Sequence, residues 1–432
     1  MTGLSIGIDF GTTNTVVALA GVDGPAHLVR FPAPEQEVFA FRSALSFHAP
    51  PEHPSERTVE AGPWAIEAYV EDPLETRFIQ SFKSFAASES FTETQIIGRR
   101  YQFEDLLSAF LLKLRDHAGG DMADLPRRVI VGRPVIFAGG APKEELALQR
   151  YEAAFQRLGF TEILYAYEPV GAAFFFAREL TQDATVLVGD FGGGTSDFSI
   201  IRFSRANGEI VSTPLGRSGV GVAGDAFDYR IIDNLVSPEL GKGSSYTSFG
   251  KTLPIPNRYY STFARWDQLA LMRASREMRE IRKLVREAVE PDKIARLVET
   301  LDENYGYVLY RAVSRLKEAL SSQTRAEFAF QAGTIDIRRE VDRTAFEGWI
   351  APELGLIETA VDEALADAGL TAQGVDRVFL TGGSSLVPAV RDIFHRRFPA
   401  EKIETGSELE SIASGLALMG RERDLTKWAR RA

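Results

Sequence analysis

Two stretches of this chain, IGIDFGTTNTVVAL near the N-terminus and GDFGGGTSDFSI at residues 189–200, share an Asp-Phe-Gly triplet. The triplets are Asp9-Phe10-Gly11 and Asp190-Phe191-Gly192. Each follows an apolar run (Ile6 and Ile8; Val186 to Val188) and precedes a second one (Thr15 to Val17; Phe198 to Phe203). That layout reads as strand, tight turn, strand. A unit that recurs once at so long a period predicts two duplicated lobes, not a solenoid.

The segments after each hairpin alternate in type. FEDLLSAFLLKLRDHAG has apolar residues at helical spacing and closes on Gly119. PRRVIVGRPVIF reads as a buried strand, KEELALQRYEAAFQRLGF as an amphipathic helix closed by Gly159. VDRVFLTGGSSLVPAVRDIFHRRF reads as strand, glycine turn and helix. The alternation predicts an α/β chain of layered lobes with ligand turns at strand ends. Between residues 263 and 322 a long helical stretch carries Arg273, Arg276, Arg279, Arg282, Lys283 and Arg286 among Glu277, Glu280 and Glu287. It reads either as a solvated helix with pairs such as Arg276–Glu280 and Lys283–Glu287, or as a face for an acidic partner. Pro291 predicts a break, hence a helical hairpin. The Gly/Ser/Pro-punctuated SPELGKGSSYTSFGKTLPIPNRYYS before it reads as a loop or lid.

Composition narrows the chemistry. The 432 residues exceed one ordinary domain, and a net charge of −11 argues against nucleic acid or an anionic membrane as bulk partner. There are no cysteines, which removes disulfides, zinc–thiolate sites and cysteine nucleophiles. His27, His48, His53, His117 and His395 have no metal-ligand spacing. Neither a signal peptide nor an apolar run of roughly eighteen residues is read, so the expected location is the cytoplasm.

Glycines in the two turns let backbone N–H groups point into one concavity, as Gly192, Gly193 and Gly194 can, and Gly11 with Thr12 and Thr13. The hydroxyls of Thr12, Thr13 and Thr195 add donors for phosphate oxygens. Asp9, Asp190 and Asp197 would repel a polyphosphate unless a divalent cation, magnesium keeping most of its water, lies between. Matched turns would thus clamp the phosphates of a Mg-nucleotide; the plain alternative is two hairpins using Asp and Gly for turn geometry. Two lookalikes fail. No His-Arg-Asp loop accompanies the kinase-like Asp-Phe-Gly, and Ser245 stands where a P-loop ending in Gly250-Lys251-Thr252 needs its first glycine.

In order along the chain, IGIDFGTTN (6–14), YEPVGAAFFFA (167–177), GDFGGGTSDFSI, VAGDAFDYRI (222–231), LKEALSS (316–322) and LTGGSSLVP (380–388) resemble the ATPase domain of the heat-shock protein 70 (DnaK-like) family. The resemblance is greatest to its truncated YegD-type members. It implies a two-lobed actin-like ATPase fold of duplicated ribonuclease-H-like lobes. Lobe I would span 1–175 and lobe II 176–400, with a helical insertion at about 234–320 and a C-terminal helix in 401–432 returning to lobe I. It implies ATP/ADP and Mg as cofactors and a partner or client protein. Lys83 and Glu168 would orient the attacking water. Asp9, Asp190 and Asp197 would hold hydrated magnesium, and Thr195 would touch the γ-phosphate. Gly224, Lys317, Ser321, Gly382, Gly383 and Ser384 would surround adenosine, and Pro134 would relay nucleotide state.

The chain departs from the family pattern at Ser314, Glu318 and Leu386, where an acid and two arginines are expected, which removes stacking support for adenine. No peptide-binding domain is read after ELESIASGLALMG. The expected function is a Mg-ATP-binding, slowly hydrolysing, chaperone-like nucleotide switch. An actin-fold small-molecule kinase and a non-catalytic filament or scaffold protein are the alternatives.

Overall fold

The computed structural model describes all residues except 1–3, 34–36, 50–55, 74, 178–181, 207–208, 266–268, 270–271, 273–274, 406–409, 423–424 and 427; His53 and Arg273 thus lie outside the description. The chain packs as two compact units. One comprises Met1–Gly224, Gly355–Leu386 and Val390–Ala432, the other Asp225–Leu354 with Val387–Ala389.

The first unit contains both predicted hairpins, and their repetition extends to whole sheets. Strand Ser5–Phe10 pairs antiparallel with Asn14–Ala20 and parallel with Arg128–Arg133, which runs parallel to Glu162–Tyr167. Strand Ala184–Phe191 pairs antiparallel with Ser196–Ala206 and parallel with Arg377–Thr381, which runs parallel to Ile403–Thr405. A further antiparallel strand lies outside each hairpin, Ala26–Leu28 in one sheet and Glu209–Val220 in the other. The parallel steps need crossovers, and helix Glu144–Leu158 supplies one. Its terminus is set by Gly159, at φ +115.

The predicted helix over FEDLLSAFLLKLRDHA forms as Phe103–Ala118 and buries Leu106, Leu107, Phe110, Leu111 and Leu114. Strand Arg128–Arg133 is shorter than its apolar run, ending where Pro134 lacks an N–H to continue the ladder. Helix Ser411–Met419 is buried on every residue, as a helix apolar all round must be. It crosses helix Glu168–Phe176 at Gly415 and Gly171, and a Cβ on Gly415 would overlap the Gly171 carbonyl oxygen. A Cβ on Gly7 would likewise overlap Ala413 O and Ala417 N of the same helix. Core residues of the two sheets merge around these helices: Ile130 and Leu164 join Val186, Val188 and Phe379, and Phe176 stacks on Phe379 at 3.9 Å. Gly415→Val should lower stability by about 2–3 kcal/mol, the upper range for overpacking a core, read from the urea midpoint.

The second unit corrects the reading of its helical stretch. Among the described residues three helices replace the hairpin: Arg276–Leu284, Pro291–Asp302 and Gly306–Ser322. Pro291 opens its helix, where a missing N–H costs nothing. The later break is at Asn304, in the left-handed region at φ +58. Arg276–Glu280 forms, at 3.1 Å. Lys283–Glu287 does not form among the described residues, because the helix ends at Leu284. The expected loop or lid contains a β-hairpin, Ser245–Ser248 with Lys251–Pro254, and the P-loop lookalike Gly250-Lys251-Thr252 is its turn and second strand. Among the described residues no helix is long and apolar enough to cross a membrane.

Candidate functional site

The two glycine turns close alike. Gly11 N–H donates to Asn14 O at 3.0 Å, and Gly192 N–H donates to Thr195 O at 3.0 Å. Both are four-residue loops, set between the pairs Phe10↔Thr15 and Phe191↔Ser196. A Cβ on Gly11 would overlap the Asn14 carbonyl oxygen, so glycine is required there. The turns face each other: a Cβ on Gly194 would lie 3.4 Å from Thr12 Oγ1. Ser43 latches the first turn, its Oγ donating to Gly11 O at 2.7 Å and its N–H to Thr13 O at 2.9 Å. Nothing in the local sequence marks that serine.

The second turn gathers three of the predicted segments. Gly192 O accepts from Gly224 N–H at 3.4 Å and from Ser384 Oγ at 3.4 Å. Gly382 has φ +84, and a Cβ there would overlap Phe191 O, which explains the first glycine of TGGSS. Gly383 has open space where a Cβ would go. Leu386 is exposed, yet an arginine does reach this turn: Arg391 Nε donates to Ser385 O at 3.0 Å. Lys317 and Ser321 lie on helix Gly306–Ser322 in the other unit. Lys317 Nζ pairs with Asp228 at 2.7 Å, and Ser321 Oγ caps Lys317 O at 2.9 Å. Burial pulls Lys317 down, but Asp228 and Tyr310 outweigh it and hold the amine above its usual range. Glu318 is exposed and Ser314 half-buried on that helix.

Carboxylates converge beside the turns. Asp190 stands directly across the hairpin from Asp197, an arrangement that opposes folding unless the charge is relieved. Asp197 is fully buried. Its Oδ1 accepts from the amides of Val135 at 2.7 Å and Ile136 at 3.2 Å, just beyond Pro134, while its Oδ2 has no hydrogen-bond partner among the described residues. Burial, then Glu168, pushes Asp197 up to about 7 against the Thr195 hydroxyl and those amides. Burial, then Glu168, pushes Asp9 up to about 7 while Lys83 pulls it back. Asp190 is pushed well above its ordinary value by burial and by Glu168, Asp9 and Asp197.

One cation answers this charge directly. Lys83 Nζ donates to Glu168 Oε1 at 2.7 Å, both side chains buried. Lys83 sits on a short 3₁₀ turn, Phe82–Phe85, entered through Ser81 at φ +54. A non-glycine residue in that region is the kind of strain that clusters at working sites. Phe10 lies under the amine at 5.8 Å, and the fully buried Tyr151 hydroxyl nearby has no partner among the described residues. Burial alone would lower the amine's pKa, but Glu168, Tyr151 and Asp9 overcome it and keep Lys83 charged.

Arg133, missed in the sequence, is almost wholly buried. It grips Glu144 with both arms, at 2.7 and 2.9 Å, donates to Pro134 O at 3.0 Å, and stacks on Tyr167, the residue before Glu168. Among the described residues no group of three acids or histidines could hold a metal ion directly. The Asp197 Oδ2 left without a partner among the described residues, and three crowded carboxylates raised above their ordinary values, fit a hydrated divalent cation, held through its water.

The sequence model of the Hsp70 protein family matches residues 75–244 and 290–422. The chain belongs to the Hsp70 family. Its α/β fold, with two sheets of repeated order, is accordingly the two-lobed actin-like ATPase fold of that family. The chaperone protein DnaK of Thermus thermophilus is similar to it, 25% identical over 436 aligned positions that cover 98% of this chain and 62% of DnaK. The chain thus spans less than two thirds of this Hsp70 relative's length.

Proposed function

We propose that this Hsp70-family chain binds Mg-ATP between its two glycine turns and hydrolyses it slowly, as a nucleotide switch read by a partner or client protein. The observation that carries the reading is the pair of matched turns, Gly194 against Thr12, beside four buried or half-buried carboxylates and a single charged amine. Backbone amides of Gly11 to Thr13 and Gly192 to Thr195 would cradle the phosphates, and Thr195 would reach the γ-phosphate. Magnesium, when bound, would neutralise charge on the phosphates and on Asp9, Asp190 and Asp197. Lys83 and Glu168 would place and polarise the attacking water. Such chemistry needs positioning and charge stabilisation more than a covalent intermediate. Gly224, Gly382, Gly383 and Ser384 would line the nucleoside, with Arg391 near the turn where Leu386 replaces the family's arginine. A cytoplasmic location accords with this role.

Calorimetric titration with ATP, with and without magnesium, tests the proposal. Magnesium-dependent binding, lost in Asp190→Ala, is expected. Equal binding with and without magnesium would remove the carboxylates from the site, and no binding at all would end the nucleotide reading.

A further inference from the structure

Residues 245–289 fall between the two segments that match the Hsp70 family model. This part of the chain differs in charge from the remainder. It holds nine lysines and arginines against four acids, in a chain whose net charge is −11. Of its arginines, Arg258 and Arg276 share Glu280, and Arg282 pairs with Asp302. Lys251, Arg279, Lys283 and Arg286 are exposed and make no ion pair among the described residues. Arg279 and Lys283 stand four apart on helix Arg276–Leu284, away from the buried Met278, Ile281 and Leu284, and Arg286 follows in the turn after it.

The hairpin adjoins this row. Thr247 N–H donates to Glu287 O and Val289 N–H to Ser245 O, each at 2.8 Å, and Tyr246 bridges Ala288 in antiparallel register. Arg286 lies in the turn two residues before that bridge. The tip is Phe249-Gly250, at φ +49 and +73. A two-residue turn with both φ positive favours Asn-Gly, and an aromatic residue at its first position gains nothing from the backbone. Nor does Phe249 gain from packing, because its side chain is fully exposed. Turn geometry and core packing both leave this residue unexplained, and contact with another molecule is the remaining use of an apolar ring held there.

We propose that hairpin Ser245–Pro254, helix Arg276–Leu284 and the turn after it form a docking face for a short acidic segment of a partner protein. Phe249 is its apolar anchor, and Lys251, Arg279, Lys283 and Arg286 supply its charge. A short acidic segment meets only the basic row. A bilayer or a long nucleic acid calls for more positive charge than these four side chains supply on a chain of net charge −11. A lone aromatic tip also offers no stacking platform for successive bases. The proposal is independent of nucleotide binding.

The test uses the whole chain and fluorescent peptides read by anisotropy: a glutamate-rich peptide with one central leucine, the same peptide with serine for leucine, and a lysine-rich counterpart. The glutamate–leucine peptide should bind best. Lys251→Glu/Arg286→Glu and Arg279→Glu/Lys283→Glu should each weaken it roughly tenfold, and Phe249→Ser about fivefold, with unchanged melting temperatures because all five residues are exposed. No binding to the wild-type chain would overturn the proposal, as would charge-reversed variants that bind equally. Indifference to Phe249→Ser would reduce the face to bare charge and also overturn it. Tighter, Phe249-dependent binding of phosphatidylserine-containing vesicles or of single-stranded DNA would assign the face to those surfaces instead.

Discussion

Lys83→Met should slow ATP hydrolysis by about two to three orders of magnitude while leaving nucleotide binding within a few-fold of wild type. The amine is held charged and aimed by Glu168 at 2.7 Å, in a wall formed by Phe10 and Tyr151. Methionine keeps the length and the packing against Phe10 and deletes only the charge. Single-turnover hydrolysis beside calorimetry measures both quantities. The variant should also lose about 3–5 kcal/mol of stability, because Glu168 is left buried without its cation. Lys83→Met/Glu168→Gln should recover most of that stability and none of the rate. Unchanged hydrolysis in either variant would make Lys83–Glu168 a structural ion pair and move the placement of water elsewhere.

The second large effect is on stability against pH in chelator-treated protein. Asp9 and Asp197 titrate near 7 in the fold against an ordinary value of 3.8, and Asp190 is raised with them. Between those values the folded chain holds protons that the unfolded chain has released, so unfolding free energy falls as pH rises from about 4 to about 7. Each retained proton contributes a slope of roughly 1.4 kcal/mol per pH unit. Above that window the loss that Asp9 and Asp197 contribute is complete. Urea unfolding from pH 5 to 8 with EDTA should show the decline. Asp197→Asn should flatten it, and magnesium with ATP should restore stability most at pH 8. A stability rising with pH in this window would show that the carboxylates are relieved by groups of the chain itself.

Where the sequence was informative, the physics was local. The hairpins are legible because apolar alternation and a glycine turn lie within a dozen residues of each other, and helix Phe103–Ala118 because its apolar face repeats at helical spacing. Gly159 and Gly382 are legible as glycines, each with φ positive. What escaped is long-range or atypical. Ser43 reaches the first turn from 32 residues away, and the amides of Val135 and Ile136 meet Asp197 from more than 60. Backbone donors leave no mark on residue type. Arg133 reads as a strand-end surface group until Glu144 and Tyr167 enclose it. The second unit misled because its punctuation is unusual. Asn304 breaks a helix although it is neither glycine nor proline, and Phe249 makes a turn where Asn would be expected.

Helix Ser411–Met419 has a consequence for the order in which this chain can fold on the ribosome. It seals strand Ser5–Phe10 and helix Glu168–Phe176, yet it is made some four hundred residues after that strand. At roughly 5–20 residues per second, the first strand waits tens of seconds for its cover. During translation the notch over Gly7 stands open, so the nascent chain itself is a client for whatever shields apolar surface in the cell.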